Sequence, residues 1–295
     1  MDGVLVIDKP EGITSHDVVA IARRALREKR IGHTGTLDPL ATGVLPLACG
    51  KATRLVRFLT ASDKDYEATV RFGISTDSYD ITGNETYRMP ARVTRDEIER
   101  HLDQFRGEYL QTPPPYSAKK VEGIRAYALA RQDKPVELKA VPVRVSRLEL
   151  GDVDGERAVI RLTCSAGYYV RSFAHALGQA VGTGACLEAL RRTRSGEFRL
   201  EGAMSVEELQ AGTEGIETWL IPLERLLGTF PAVTLTDEGR LRVSHGQELR
   251  ARDLQGEGSP GQGEWTRVLD PDGRLIALAQ PGSGPDSLHP AVVLL

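Results

Sequence analysis

Residues 32–46 read GHTGTLDPLATGVLP, and this stretch decides how the fold and the chemistry of the chain are interpreted. Three glycines and two prolines in so short a segment fix unusual backbone angles and let a substrate approach the main chain. We therefore expect a structured loop over residues 31–47. One carboxylate, Asp38, lies between Leu37 and Pro39 in an apolar, rigid setting. Because an aspartate before proline is often only a turn former, local physics makes Asp38 a candidate catalytic residue and no more.

Apolar periodicity predicts regular elements on both sides of this loop. Residues 3–10 are typical of a short buried strand that Pro10 and Gly12 end, and residues 14–17 supply caps for a helix through Leu26. Thr94 and Glu97 have the capping-box spacing of another helix. The other predicted elements are helices around 52–59, 94–105, 170–180 and 205–209, and strands at 66–72, 141–150 and 158–165.

The pattern of apolar and turn-forming residues changes from about Phe230. Short apolar runs at 265–269, 275–278 and 291–295 alternate there with glycine, proline and aspartate, which predicts a small β module. Residues 255–263 are rich in glycine and are expected to be mobile.

Composition excludes several classes of protein. The apolar runs are too short to cross a membrane and the N-terminus lacks a secretory pattern, so we expect a cytoplasmic protein. The 3 cysteines are scattered, which argues against disulfides and a structural zinc site. A formal net charge of −3 argues weakly against a nucleic-acid partner, but basic residues concentrate between Lys119 and Arg147 and over 191–199. Such runs are also typical of a solvated surface, so charge alone leaves this question open.

Four further blocks lie in order around the loop: residues 8–17 (DKPEGITSHD), 63–66 (DKDY), 114–127 (PPYSAKKVEGIRAY) and 164–172 (CSAGYYVRS). With residues 32–46 they make five blocks across most of residues 1–200. Together they closely resemble the motifs of the TruB family, the bacterial tRNA pseudouridine-55 synthases.

The resemblance implies a role for individual residues. Asp38 matches the catalytic aspartate of the family, Tyr66 the tyrosine that stacks on the target base, and Arg171 the arginine that pairs with the catalytic carboxylate. The implied substrate-binding residues are His33, Tyr169 and Leu190. Phosphate contacts are expected at Lys9, Lys64 and Lys119.

The implied reaction isomerises uridine to pseudouridine at position 55 of the tRNA T loop. The base is flipped out, its bond from N1 to the sugar is cleaved, and the turned base is rejoined through C5. Because no net redox change, hydrolysis or energy input occurs, we expect no cofactor and no metal. A carboxylate could add to the sugar or to the base, or a base could remove the C2′ proton and give a glycal; the sequence does not choose.

The resemblance also implies the architecture. We expect an α+β pseudouridine synthase fold over residues 1–228, with a mixed, mostly antiparallel sheet split by a central catalytic cleft. An RNA-binding insertion is expected at about 112–142, and a PUA-like RNA-binding module over 229–295. The expected partner is the T stem-loop of tRNA, bound by a monomer without a guide RNA or another protein.

Three rival enzyme classes fail on their motifs. Gly50-Lys51-Ala52-Thr53 suggests a phosphate-binding loop, but Leu45 stands where glycine is needed. The signatures of zinc base deaminases and of Ser-His-Asp hydrolases are absent from the sequence. Two alternatives stay open: an RNA-binding protein without catalysis, which the intact Asp38, Tyr66 and Arg171 disfavour, and a guide-RNA-dependent synthase. Thr34 and Ala41 in the loop and the central insertion are more similar to the stand-alone bacterial enzymes.

Overall fold

The computed structural model describes residues 1–117, 138–212, 214–255, 263–284 and 286–295, together with the backbone of 120–121 and 124–125. Within these residues the α-helices are α1 (Ser15–Leu26), α2 (Val56–Thr60), α3 (Arg95–Leu102), α4 (Val170–Val181), α5 (Val206–Ala211) and α6 (Asp237–Ser244). Short 3-10 helices occur at Gly50–Leu55, Asp103–Phe105, Leu200–Gly202, Ile216–Thr218, Leu223–Arg225 and Ala251–Asp253. In this part of the chain, no helix is both long enough and apolar enough to span a membrane.

The strands of the described residues form one large sheet, one small sheet and two hairpins. They are β1 (Gly3–Lys9), β2 (Ile31–His33), β3 (Thr42–Cys49), β4 (Lys64–Phe72), β5 (Ile74–Thr76), β6 (Glu85–Arg88), β7 (Gly107–Gln111), β8 (Lys120–Val121), β9 (Ile124–Arg125), β10 (Val141–Val153), β11 (Arg157–Cys164), β12 (Ala185–Ser195), β13 (Phe198–Arg199), β14 (Met204–Ser205), β15 (Ile221–Pro222), β16 (Ala232–Thr234), β17 (Thr266–Leu269), β18 (Leu275–Pro281) and β19 (Leu288–Val293).

The large sheet has the strand order β14-β1-β3-β12-β4-β11-β10-β7, with β2, β13 and β15 paired at its side. It is mixed and mostly antiparallel, because only the β1–β14 and β3–β12 pairs of the described strands within it are parallel. Together with the small sheet β16-β17-β18-β19, this confirms the predicted α+β class and the small C-terminal β sheet.

Both faces of the central strands are buried, which explains their continuous apolar sequences. Side chains alternate between two apolar clusters along β1 and β3. Leu5, Ile7, Leu45 and Leu47 belong to the cluster that α1 and α4 cover. Val4, Val6, Val44 and Ala48 belong to a second cluster, which the C-terminal residues Leu275, Leu278 and Leu294 complete.

The C-terminal sheet has a core of its own and also docks on the large sheet. At this contact the ring of Phe58 lies edge-on to Trp265, with the ring centroids 4.7 Å apart. The guanidinium of Arg57 lies over both rings, at 4.6 and 5.1 Å from their centroids. The small C-terminal sheet is therefore fixed to β3, the strand that follows the loop of Asp38.

The prediction of a loop over residues 31–47 was wrong at both ends. β2 occupies the first three residues after Arg30, and β3 begins at Thr42, so the irregular segment is residues 34–41. Glycine and proline density hid these strands, because pairing of β3 with β1 over Gly43–Cys49 and with β2 decides the conformation. β7, β12 and α6 were also not predicted. Most of the glycine-rich segment 255–263 and most of the expected insertion lie outside the described residues.

Gly43 is the residue that allows β3 to start against β12. Its φ is +100°, and a Cβ there would clash with the backbone carbonyl of Arg192. We predict that Gly43→Ala lowers the free energy of unfolding by about 3 kcal/mol or more, through backbone strain and steric overlap together. Thermal and urea unfolding would measure this loss.

Gly155→Ala is the matched control, because Gly155 has a φ of +90° but open space where the Cβ would be added. It should cost only the strain of the left-handed conformation, about 1–2 kcal/mol. Equal losses for the two variants would contradict the close approach at Gly43.

Candidate active site

The loop that carries Asp38 is fastened by the N-terminal segment that precedes and begins α1. The Ser15 hydroxyl donates to the carbonyl of Leu37 at 3.0 Å and accepts from its N–H at 2.8 Å. The N–H of Gly12 donates to the carbonyl of Pro39 at 2.9 Å. Asp38 therefore lies between two residues whose backbones are fixed, and Leu37 is itself buried in the core.

Lys9 lies beneath the same loop. Its ammonium donates to the carbonyls of Pro10 and Ile13 at 2.8 Å and to that of Pro39 at 3.3 Å, and the residue is 0% exposed. Burial lowers the pKa of Lys9 to about 8, although the charge of Asp38 opposes this effect. The expected phosphate contact is not met here, because the ammonium faces the interior and binds the backbone.

Lys64 has a similar setting at the start of β4. It is buried, and its ammonium donates to the carbonyl of Thr60 at 2.6 Å and to that of Ser62. Burial lowers its pKa to about 8 as well. The phosphate contact expected for Lys64 is likewise not met, for the same physical reason. Lys119, the third lysine of that prediction, has a side chain outside the described residues.

Asp38 and Arg171 form a two-pronged ion pair. Nε of Arg171 lies 2.9 Å from Oδ2 of Asp38, and a terminal nitrogen donates to Oδ1 at 3.3 Å. The Arg171 side chain is 7% exposed, whereas that of Asp38 is 39% exposed. A guanidinium in this geometry fixes the orientation of the carboxylate through charge-assisted hydrogen bonds, while one side of Asp38 stays accessible.

The opposite side of the Arg171 guanidinium is also held. It donates to the carbonyls of Ser78 at 3.0 Å and Tyr116 at 2.9 Å, and it lies 3.6 Å from the buried carboxylate of Asp80. Asp80 accepts in turn from the N–H and the hydroxyl of Thr82, at 3.0 and 2.5 Å. Sequence reasoning missed Asp80, although an isolated aspartate between Tyr79 and Ile81 was a signal that could have found it.

Tyr66 and Leu190 share one face of the sheet. Tyr66 is half-buried on β4 opposite Arg192, and Leu190 is buried on β12 opposite Ala68. Burial raises the pKa of Tyr66, the charge of Arg192 lowers it in part, and the charge of Asp38 raises it further. The phenol is thus neutral at physiological pH and lies within the electrostatic reach of both charged groups.

Tyr169 stands directly before α4, two residues from Arg171. Its N–H donates to the side chain of Gln111 at 2.9 Å, and the Gln111 amide donates back to its carbonyl at 3.1 Å. Burial raises the pKa of the half-buried Tyr169 phenol. Gln111, which the sequence did not single out, fixes the start of the helix that carries Arg171.

His33 ends β2 at the edge of the loop, edge-on to His16 with ring centroids 6.3 Å apart. Its Nδ1 is buried without a hydrogen-bond partner in the described part of the chain. Burial, followed by the charges of His16 and Arg192, lowers the pKa of His33, which favours the neutral ring.

The arrangement can supply one oriented carboxylate, an adjacent neutral phenol and an apolar wall. Such a set suits attack on, or proton removal from, a substrate bound at Asp38. Among the described residues, no three His, Cys, Asp or Glu side chains come together as a metal site would require.

Comparison with known proteins agrees with this geometry. The family model described as TruB family pseudouridylate synthase (N terminal domain) matches residues 23–170, and that of the tRNA pseudouridylate synthase B C-terminal domain matches 171–228. The tRNA pseudouridine synthase B of Solibacter usitatus (strain Ellin6076) is 45% identical over 297 residues, covering 100% of both chains. That of Ectopseudomonas mendocina (strain ymp) is 39% identical over 285 residues, covering 95% of this chain and 91% of the relative.

Solved structures share the fold. A Cbf5–Nop10–Gar1 complex contains a chain that superposes with a TM-score of 0.76 at 28% identity, covering 99% of this chain and 85% of that one. An H/ACA RNP bound to a substrate RNA containing 2′-deoxyuridine gives a TM-score of 0.73 at 27% identity, with coverages of 99% and 85%. The matched family models, the full-length relative and the shared fold show that this chain belongs to the TruB family of pseudouridylate synthases.

Proposed function

We propose that this protein isomerises a uridine of tRNA to pseudouridine, with Asp38 as the catalytic carboxylate. The observation that carries the proposal is the ion pair between the accessible Asp38 and the buried Arg171, set beside Tyr66 in a chain of this family. The substrate is tRNA, and the target is position 55 in the T loop. The relative from Solibacter usitatus, which carries the name tRNA pseudouridine synthase B, supports this choice of substrate because it matches over its full length.

The enzyme acts as a cytoplasmic monomer without a guide RNA or a protein partner. The Cbf5 chain that shares its fold was solved within a Cbf5–Nop10–Gar1 complex, but this chain matches a relative named tRNA pseudouridine synthase B at higher identity, 45% against 28%. A catalytic domain over 1–228, with an insertion at about 112–142, would bind the stem-loop. A PUA-like module over 229–295 would hold a more distant part of the tRNA.

Each residue of the site has a task in this reaction. Asp38, oriented by Arg171, attacks the substrate or removes the C2′ proton once the uridine is flipped out. Tyr66 stacks on the detached base, and Leu190 and Tyr169 enclose it. His33 contacts the loop from which the base has been extruded. Lys9 and Lys64 act from within the fold by holding the backbone next to the site.

The first test removes the carboxylate charge. Asp38→Asn should abolish conversion of uridine in a tRNA transcript, by about 10⁴-fold or more, because the amide is neither a nucleophile nor a base. The transcript is digested and the pseudouridine is mapped, and tRNA binding is measured in parallel and should persist. The wild-type protein is assayed in the same way, without other proteins or a guide RNA. Activity that appeared only after one of these was added would contradict the stand-alone assignment.

Asp63→Asn is the matched control. Asp63 is also a partly exposed aspartate paired to an arginine, at 3.1 Å from Arg144, but it forms no hydrogen bond or ion pair with Asp38, Arg171 or Asp80. Its substitution should leave turnover within about twofold, since exposed ion pairs contribute little. Pseudouridine formation by Asp38→Asn would refute the proposed role of Asp38, whatever the control shows.

The second test concerns Asp80. Asp80→Asn should lower kcat by about 10- to 100-fold with little change in KM, because Arg171 then loses the carboxylate behind it and holds Asp38 less firmly. Asp77→Asn, three residues earlier and paired with the exposed Asn84 at 2.9 Å, is the control that should stay near wild type. Steady-state kinetics on the same transcript measure both. An unchanged kcat for Asp80→Asn would show that Asp80 has no part in orienting Arg171.

A further inference from the structure

Arg192 is a buried arginine with no counter-charge in the described part of the chain. It is 1% exposed, and among the described residues no side chain that is as fully buried is larger. The nearby Arg171, Arg191 and Arg194 pair with Asp38, Asp8 and Asp65, but no carboxylate of the described residues lies within 4.0 Å of Arg192. A buried, uncompensated charge is costly, so a fold that keeps one has a use for it.

The guanidinium of Arg192 donates hydrogen bonds to backbone carbonyls in and next to the catalytic loop. Nε donates to the carbonyl of Val44 at 2.7 Å, and the two terminal nitrogens donate to those of Thr36 at 3.4 Å and Gly35 at 3.1 Å. These carbonyls lie on both sides of Asp38 in the sequence. The contacts give each of the three guanidinium nitrogens a partner, but the carbonyls are neutral, so the unit charge of Arg192 remains.

The charge of Arg192 lies close to the residues of the candidate active site. Arg192 and Tyr66 are register partners on β12 and β4, so their side chains lie on the same face of the sheet. A bulge follows Arg192 on β12, before Arg194, and a bulge at such a position redirects the side chains beside it. The charge of Arg192 also lowers the pKa of Tyr66 and of His33, which places it within reach of both groups.

The proposed reaction generates negative charge at this place. When the bond from N1 to C1′ breaks, its electron pair leaves with the base, which becomes a uracil anion. If Asp38 adds to C1′, a carbon–oxygen bond replaces the broken bond. If elimination occurs instead, the C2′ proton passes to Asp38 and a C1′–C2′ double bond forms. The base leaves as an anion in both of these routes. If Asp38 instead adds to the base, the new carbon–oxygen bond forms as an electron pair of the ring double bond moves toward a ring carbonyl, so negative charge again develops on the base.

We propose that Arg192 is a positioning residue that shapes the catalytic loop and also supplies the unpaired positive charge that stabilises the detached uracil anion next to Tyr66. This inference rests on the proposed function. A fixed positive charge in a water-poor site favours an anionic transition state because no reorganisation is required when the charge develops.

Charge and hydrogen bonding can be separated with two substitutions. Arg192→Lys and Arg192→Gln each keep at least one donor toward the loop carbonyls, but only lysine keeps the charge. At saturating enzyme, the single-turnover rate of Arg192→Gln should fall by about 100-fold, and that of Arg192→Lys by less than about tenfold. Both should bind tRNA like wild type, and both should lose a similar amount of thermal stability because both lose the fork of the guanidinium.

The same pair of substitutions at Arg194 is the control. Arg194 lies on the same strand two residues later, is partly buried, and is paired with Asp65 at 2.7 Å. At Arg194, lysine and glutamine should not differ in rate. If Arg192→Gln does not fold, Arg192→Met replaces it, since methionine removes the charge and brings no polar group to satisfy.

A second readout separates charge stabilisation from a purely structural role. A tRNA with 5-fluorouridine at the target position carries a base whose anion is intrinsically more stable. Relative to wild type, the rate at which Arg192→Gln consumes 5-fluorouridine should fall less than the rate at which it consumes uridine. The proposal is overturned if the lysine and glutamine variants lose rate equally, or if the loss is the same for both bases. Failure of the wild-type protein to convert uridine at all would instead refute the proposed function.

Discussion

The clamp on the guanidinium of Arg171 is the interaction on which the site depends. One edge of this group meets Asp38 at 2.9 Å, and the other meets the carbonyls of Ser78 and Tyr116 and the carboxylate of Asp80. These partners come from segments far apart in the chain, which the central sheet and α4 bring together. A bidentate arginine needs all of them in place, because its planar fork tolerates little displacement. The large sheet is therefore what makes one aspartate of an irregular loop into an oriented carboxylate.

Buried cations hold the irregular backbone in and around residues 34–41. Lys9, Lys64 and Arg192 are buried and donate to backbone carbonyls, and none forms an ion pair within the described residues. The segment 34–41 has few regular backbone hydrogen bonds of its own, so side-chain donors replace them. Their charges also make the underside of the loop electropositive. A site that must stabilise an anion gains from this arrangement, although each buried charge costs free energy of folding.

Much of the fold could be predicted because it is encoded locally. Thr14 with Asp17 and Thr94 with Glu97 form the capping boxes of α1 and α3, as their spacing indicated. The resemblance to the family led to Asp38, Tyr66 and Arg171, which the structure brings together. What the sequence could not reveal depends on distant partners. In the sequence, Lys9 and Lys64 look like ordinary surface lysines, and only the folded sheet buries them. The roles of Asp80 and Arg192 depend on contacts with Arg171 and with the loop, which are distant in sequence.

The central claim is that Arg171 and Asp80 act on the reaction as one unit, through the orientation of Asp38. A double-mutant cycle on the single-turnover rate of tRNA conversion tests this most directly, with Arg171→Lys, Asp80→Asn and the double variant. If the two residues act as a unit, the double variant should be no more than about threefold slower than the slower single variant. Losses that multiply would contradict the claim, since they would show that Asp80 and Arg171 contribute independently.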